Sequence, residues 1–86
     1  MTKQALKFLQ GLDAKQYKQV ATAIFGLFKE TEPHDSQALK GATRNERSID
    51  AGEYRIIYTA NTELIEVLVI GKRNDDDVYK IWGNMR

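Results

Sequence analysis

Between residues 3 and 12, Ala5, Leu6, Leu9 and Leu12 recur at helical spacing among Lys3, Gln4, Lys7 and Gln10. This pattern predicts a short amphipathic helix that Gly11 ends. Asp13 is placed to cap a second helix, with Gln16 three residues on as in a capping box. Tyr17, Val20, Ala21, Ile24, Leu27 and Phe28 would form its apolar stripe. The helix should stop near Lys29 or Glu30, because Pro33 disfavours helical geometry at Glu32 and His34, Asp35 and Ser36 are loop formers. A connection then runs to about Thr43.

From Arg47 onward the pattern is that of strands. Ser48 to Asp50 predicts a short one, Gly52 a turn or bulge, and Glu53 to Ala60, rich in β-branched and aromatic side chains, a longer one. Asn61-Thr62 reads as a hairpin turn, and Glu63 to Ile70 as a central strand apolar on both faces. Pairing around that turn would set Arg55 roughly opposite residue 68. Gly71 breaks the strand, Asn74 or Asp75 is placed to cap a last helix, and Val78, Ile81 and Trp82 give that helix an apolar edge. The expected fold class is α+β, with a helical pair packed on a small antiparallel sheet and a short C-terminal helix.

Composition narrows the reading. A chain of 86 residues encloses one modest core, so one domain over residues 1–86 is expected. With 42% hydrophobic and 29% charged residues it has the balance of a globular protein. The absence of cysteine removes disulfides, thiolate metal sites and thiol nucleophiles, and suits a cytoplasmic location. No apolar run approaches the roughly 20 residues of a membrane span, and the N-terminus lacks the apolar core of a signal peptide. A formal charge of +1 does not by itself announce nucleic-acid binding. Its distribution is more informative. Lys40, Arg44 and Arg47 cluster with Glu46 as the single acid among them, and Lys72-Arg73 follows the apolar strand before Asp75, Asp76 and Asp77.

Metal chemistry has little support, since His34 is the lone histidine and sits in a loop, and three contiguous aspartates point in different directions. The aspartates suit the positive end of the last helix instead. The grouping with chemical content is Arg55, Lys72, Arg73 and Tyr79. Two arginines at one end of a sheet suit stabilisation of a phosphorane, because the guanidinium is always charged and donates a fork of hydrogen bonds. Tyrosine can stack on a base or handle a proton. Against this stands the plain reading that Arg55 and Arg73 pair with Glu53, Glu66 or the aspartates while Tyr79 packs on the core. Trp82 likewise either anchors the last helix to the chain's own core or offers a partner an apolar handle.

The segments Ala38-Leu39-Lys40-Gly41, Gly52-Glu53-Tyr54-Arg55-Ile56-Ile57-Tyr58 and Ile70-Gly71-Lys72-Arg73-Asn74-Asp75-Asp76-Asp77-Val78-Tyr79, with Ala5-Leu6-Lys7-Phe8-Leu9 and Leu12-Asp13 before them, resemble the RelE/ParE superfamily. These are toxins of type II toxin-antitoxin systems, and the likeness, closest to the RelE-like branch, covers nearly the whole chain. It implies a toxin that acts at the ribosomal A site, cutting messenger RNA without metal or other cofactor, and an antitoxin that silences it in a hetero-oligomer. Its partners would be the antitoxin, the ribosome and mRNA.

Carried over by position, the family's phosphate-stabilising arginine falls on Arg55, the arginine after glycine-lysine on Arg73, and the C-terminal tyrosine on Tyr79. The implied reaction is attack of a ribose 2′-hydroxyl on the adjacent phosphorus, leaving a cyclic phosphate and a 5′-hydroxyl. Lys40, Arg44, Arg47 and Lys72 are the expected RNA contacts. The sequence departs from the pattern twice. Where the best-known members carry two lysines, it reads Asn45-Glu46-Arg47-Ser48-Ile49, which leaves Glu46 as the candidate base. The family's first strand is also missing ahead of Lys3, so either the start lies too late, or this is a natural short form, or another chain covers the exposed sheet edge. Two further readings belong to the same family: a ParE-like non-enzymatic inhibitor of DNA gyrase, and an inactive remnant that only binds its antitoxin.

Overall fold

A computed structural model describes residues 1–61, 64–74 and 76–85. The elements run α1 (Lys3–Gln10), α2 (Ala14–Gly26), β1 (Gln37–Ala38), β2 (Arg47–Ala51), β3 (Tyr54–Ala60), β4 (Ile65–Lys72) and α3 (Asp77–Met85). The four strands form one antiparallel sheet in the order β1-β2-β3-β4, so the fold is α+β.

Both early helices begin as their side chains dictate. The Thr2 hydroxyl accepts from Ala5 N, and the Asp13 carboxylate from Gln16 N at 2.9 Å. α2 ends at Gly26, earlier than Lys29, because Leu27 to Lys29 tighten into i to i−3 hydrogen bonds. Beyond it, the Tyr58 hydroxyl donates to Thr31 O at 2.8 Å and ties the connection to the sheet. α3 starts at Asp77, its first turn closed by Tyr79 N and Lys80 N donating to Asp76 O. Of the two cap candidates, Asp75 lies outside the described residues, and Asn74 is two residues too early. Thr62 of the predicted hairpin turn is also outside them.

The sheet carries apolar residues on both faces. On one, Val20 and Ile24 of α2, Leu27 just past its end, and Ala5 and Leu9 of α1 pack on Ile49, Ile56 and Tyr58. On the other, Val78 and Trp82 of α3 cover Ile57, Leu68, Val69 and Leu39. Trp82 is buried, so it anchors α3 to the chain's own core. α3 comes close to β4 because position 71 is glycine: a Cβ there would lie 2.7 Å from Val78 Cγ1.

Two features differ from expectation. Arg55 pairs with Gly71 rather than residue 68, since Ala60↔Ile65 makes the hairpin loop two residues longer than predicted and a bulge at Leu68 adds a third. The edge of β4, with no strand before α1 among the described residues, is met from within the chain. Thr2 N donates to Val67 O, the Thr2 hydroxyl to Leu68 O, and the Gln4 side-chain amide donates to Ile70 O at 3.0 Å and accepts from Ile70 N at 3.1 Å. That amide stands in for a strand's peptide group.

Candidate active site

The β2–β3 hairpin has a two-residue loop, Gly52-Glu53, with Gly52 at φ +60° as the first position of a II′ turn requires. Such a loop sets Ala51 against Tyr54 and Asp50 against Arg55. Side chains alternate along a strand, so Asp50 and Arg55 share the face on which α3 lies, whereas Arg47 is on the face of the helical pair. β4 then runs past Arg55 and delivers Arg73, whose N–H continues the ladder to Glu53 O at 2.9 Å. Tyr79, in the first turns of α3, closes the group from above.

The four side chains are joined. Arg55 Nε donates to Asp50 Oδ1 at 2.7 Å and Nη2 to Oδ2 at 3.2 Å, a bidentate pair. Arg55 Nη1 donates to the Tyr79 hydroxyl at 2.8 Å, and its guanidinium carbon is 5.6 Å from the Tyr79 ring centroid. Arg73 Nη1 stands 4.0 Å from Asp50 Oδ2. The Asp50 hydrogen bond, opposed by partial burial and reinforced by the charge of Asp50, raises the Arg55 pKa above its ordinary value. A guanidinium has five N–H groups, and among the described residues three are used here, which leaves two that no described residue takes. Arg73 and Asp50 are half open to solvent, with side-chain exposures of 48% and 39%.

Arg55, Arg73 and Tyr79 are thus brought together, whereas Lys72, exposed and paired with Tyr54, projects on the face of the helical pair. The other sequence-predicted residues are elsewhere. Glu46 precedes β2 by one residue, four residues from Asp50, or about 13 Å along the strand. Its carboxylate is 1% exposed and accepts from Arg44 N at 2.7 Å and Trp82 Nε1 at 3.1 Å. Burial pushes its pKa up, but the N–H groups of Arg44, Glu46 itself and Trp82, with the Arg44 charge, outweigh that and leave it lowered. Arg47 donates to the Ser36 hydroxyl and carbonyl and lies 3.7 Å from Glu32. Lys40 and Arg44 are exposed in the β1–β2 connection, at the far end from Arg55. Asp50 is the site residue that reading along the chain missed. The signal was present: in a hairpin centred on Gly52-Glu53, residue 50 must face residue 55.

A family model described as "ParE toxin of type II toxin-antitoxin system, parDE" matches residues 1–77. The chain belongs to this toxin family. The match spans both helices, all four strands and the start of α3, so the polar cluster lies on the family's scaffold except for Tyr79, just past its end. No curated protein and no solved structure matches the chain. As a toxin of a type II system, it implies an antitoxin partner. Among the described residues, no helix is long and apolar enough to cross a membrane.

Proposed function

We propose that this toxin cleaves RNA at the Asp50, Arg55, Arg73 and Tyr79 cluster, acting on messenger RNA at the ribosome. The observation that carries the reading is the bonded juxtaposition of two arginines, a carboxylate and a tyrosine at one open end of the sheet. Asp50 takes the proton of a ribose 2′-hydroxyl, and the freed oxygen attacks the adjacent phosphorus. The two remaining Arg55 N–H groups and the Arg73 guanidinium stabilise the extra charge on the phosphorane. The bond to the 5′-oxygen breaks, that oxygen takes a proton from water, and a 2′,3′-cyclic phosphate remains. Tyr79 holds Arg55 in place and offers its ring face to a base. Lys40 and Arg44 beyond the cluster contact further phosphates, and Lys72, on the other face of the sheet, takes no part in the chemistry. Glu46 and Arg47 are left out of the chemistry because Glu46 is buried away from the cluster and Arg47 lies on the opposite face of the sheet.

A second reading has an observation of its own. Asp50 neutralises Arg55 in the free protein, and the family's description is that of a ParE toxin, so a toxin that inhibits gyrase without cutting anything also fits. The two part cleanly in one experiment. Purified toxin is incubated with translating ribosomes and, separately, with gyrase and relaxed plasmid. Discrete cuts within codons, ending in cyclic phosphates, support cleavage; loss of supercoiling with intact message overturns it.

We further assign the antitoxin's seat to an apolar groove of about 390 Å³ on the opposite face, between α1, α2 and β4. Met1, Leu6, Tyr17, Phe25, Phe28 and Ile65 line it. α1 and α2 together carry Lys3, Lys7, Lys15 and Lys18 and no acidic residue, which suits an amphipathic helix with acidic flanks.

A further inference from the structure

Glu46 is a buried carboxylate that the proposed chemistry does not use. Both its oxygens are occupied, Oε1 by Arg44 N and Oε2 by the Trp82 indole, and its own carbonyl accepts from Leu39 N at 3.0 Å. It sits at the margin of an apolar cluster made of Leu39, Ile57, Leu68, Val69, Val78 and Trp82. A leucine there would pack without the cost of removing a charge from water, and replacing buried ionic groups by apolar ones is often neutral or stabilising. Stability alone therefore gives no reason for a carboxylate. Direction does.

The apolar contacts that hold α3 on the sheet are non-directional, and they fix its rotation and slide less sharply than a hydrogen bond does. A nine-residue helix also has little stability of its own. Yet the Tyr79 hydroxyl must come within 2.8 Å of Arg55 Nη1. Trp82 lies three residues after Tyr79, so the two side chains project from one side of α3. The charge-assisted bond from the indole N–H to Glu46 is directional and fixes both rotation and slide. Glu46 in turn is fixed by Arg44 N and Leu39 N in the β1–β2 connection.

We propose that Glu46 is a positioning residue, which through Trp82 sets the register of α3 so that Tyr79 meets Arg55. Its bearing on cleavage rests on the function proposed above, but its structural content does not, and the test separates them. Two variants are made, Trp82→Phe, which keeps an aromatic ring but removes the N–H together with part of the indole, and Glu46→Leu, which keeps Trp82 whole and the packing apolar. Each is read by amide exchange in α3 against β3 and by the NMR signal of the Arg55 Nε–H, neither of which needs RNA. Exchange across residues 79 to 85 should quicken about ten-fold with β3 unchanged, as expected for one lost hydrogen bond, and the Arg55 signal should shift in both variants. Cleavage should fall about ten-fold in kcat with KM unchanged, and adding Tyr79→Phe to Trp82→Phe should cost little more, because both changes break one linkage. If α3 exchange and the Arg55 signal stay as in the wild type, the proposal is overturned, and it is overturned equally if the Trp82 and Tyr79 losses multiply in full. Should Glu46→Leu fail to fold, Trp82→Phe decides. A wild-type toxin that cuts no RNA would remove the cleavage reading while exchange and the Arg55 signal still decide the role of Glu46.

Discussion

At the residue scale, the proposed chemistry turns on what each group of the cluster has left to give. Arg55 contributes two N–H groups that no described residue takes and Arg73 a half-exposed guanidinium, so Arg55→Ala or Arg73→Ala should each cost about 2 to 4 kcal/mol of transition-state stabilisation. Growth inhibition should disappear while the thermal transition changes little, and wild-type cleavage rates in both variants would refute the assignment. Asp50→Asn keeps the shape of the pair with Arg55 but cannot take a proton, and should slow cleavage on the order of 10²-fold to 10⁴-fold. If Asp50→Asn cut normally in primer-extension assays, the base would have to be sought elsewhere. Tyr79 presents two separable properties. Tyr79→Phe keeps the ring over Arg55 and loses the hydroxyl, so it should be milder than Tyr79→Ala, which loses both. Equal and complete losses in single-turnover rates would instead assign the hydroxyl a proton-transfer role.

At the scale of elements, the attachment of α3 should respond to acid. The folded pKa of Glu46 is lowered beneath the ordinary glutamate value of 4.5, so the unfolded chain binds this proton more readily than the native one. The stability it contributes is complete above 4.5 and is lost as pH falls below that value through the lower native pKa. Trp82 fluorescence should therefore report loosening of α3 on acidification while the sheet's circular dichroism persists, and Glu46→Leu should remove that acid-sensitive step. Identical acid transitions in the variant and the wild type would refute this. The elements themselves were legible to different degrees for physical reasons. The period of α1 and α2 and the turn at Gly52 are local patterns, and they appear where the sequence places them. β1 is two exposed residues, Gln37 and Ala38, with no alternation to read. β4 is apolar on both faces, so its pattern is blind to a register shift, and the bulge at Leu68 leaves no mark in composition. Asp50 escaped for a related reason, because its importance is a relation across two strands. Glu46 was read as a base because the chain alone does not reveal that Trp82 reaches it.

At the scale of the whole molecule, the two faces of the sheet differ in character. The α3 face carries the polar cluster, while the α1/α2 face leaves Phe25 at 69% and Phe28 at 66% exposed beside Tyr17 and Leu6. The predicted stripe of α2 is thus only half used inside the chain: Val20, Ile24 and Leu27 enter the core, and Tyr17 and Phe28 do not. Isolated apolar side chains at a surface are ordinary, but a contiguous aromatic groove marks an interaction site. Since Phe25 and Phe28 touch the core little, Phe25→Lys and Phe28→Glu should leave folding within about 0.5 kcal/mol of the wild type. Each removes about 1.5 to 3 kcal/mol of apolar burial from the complex, and Phe25→Lys adds to the basic rim whereas Phe28→Glu opposes an acidic helix. Titration calorimetry should show antitoxin affinity falling at least ten-fold in Phe28→Glu and less in Phe25→Lys. In cells, both variants should still arrest growth when expressed alone, and Phe28→Glu should escape rescue by coexpressed antitoxin. Because the cluster lies on the other face, neither change should alter the cleavage rate of free toxin. Wild-type antitoxin affinity in both variants would place the partner elsewhere on the molecule, and loss of growth arrest would mean that this groove serves the toxin's target rather than its inhibitor.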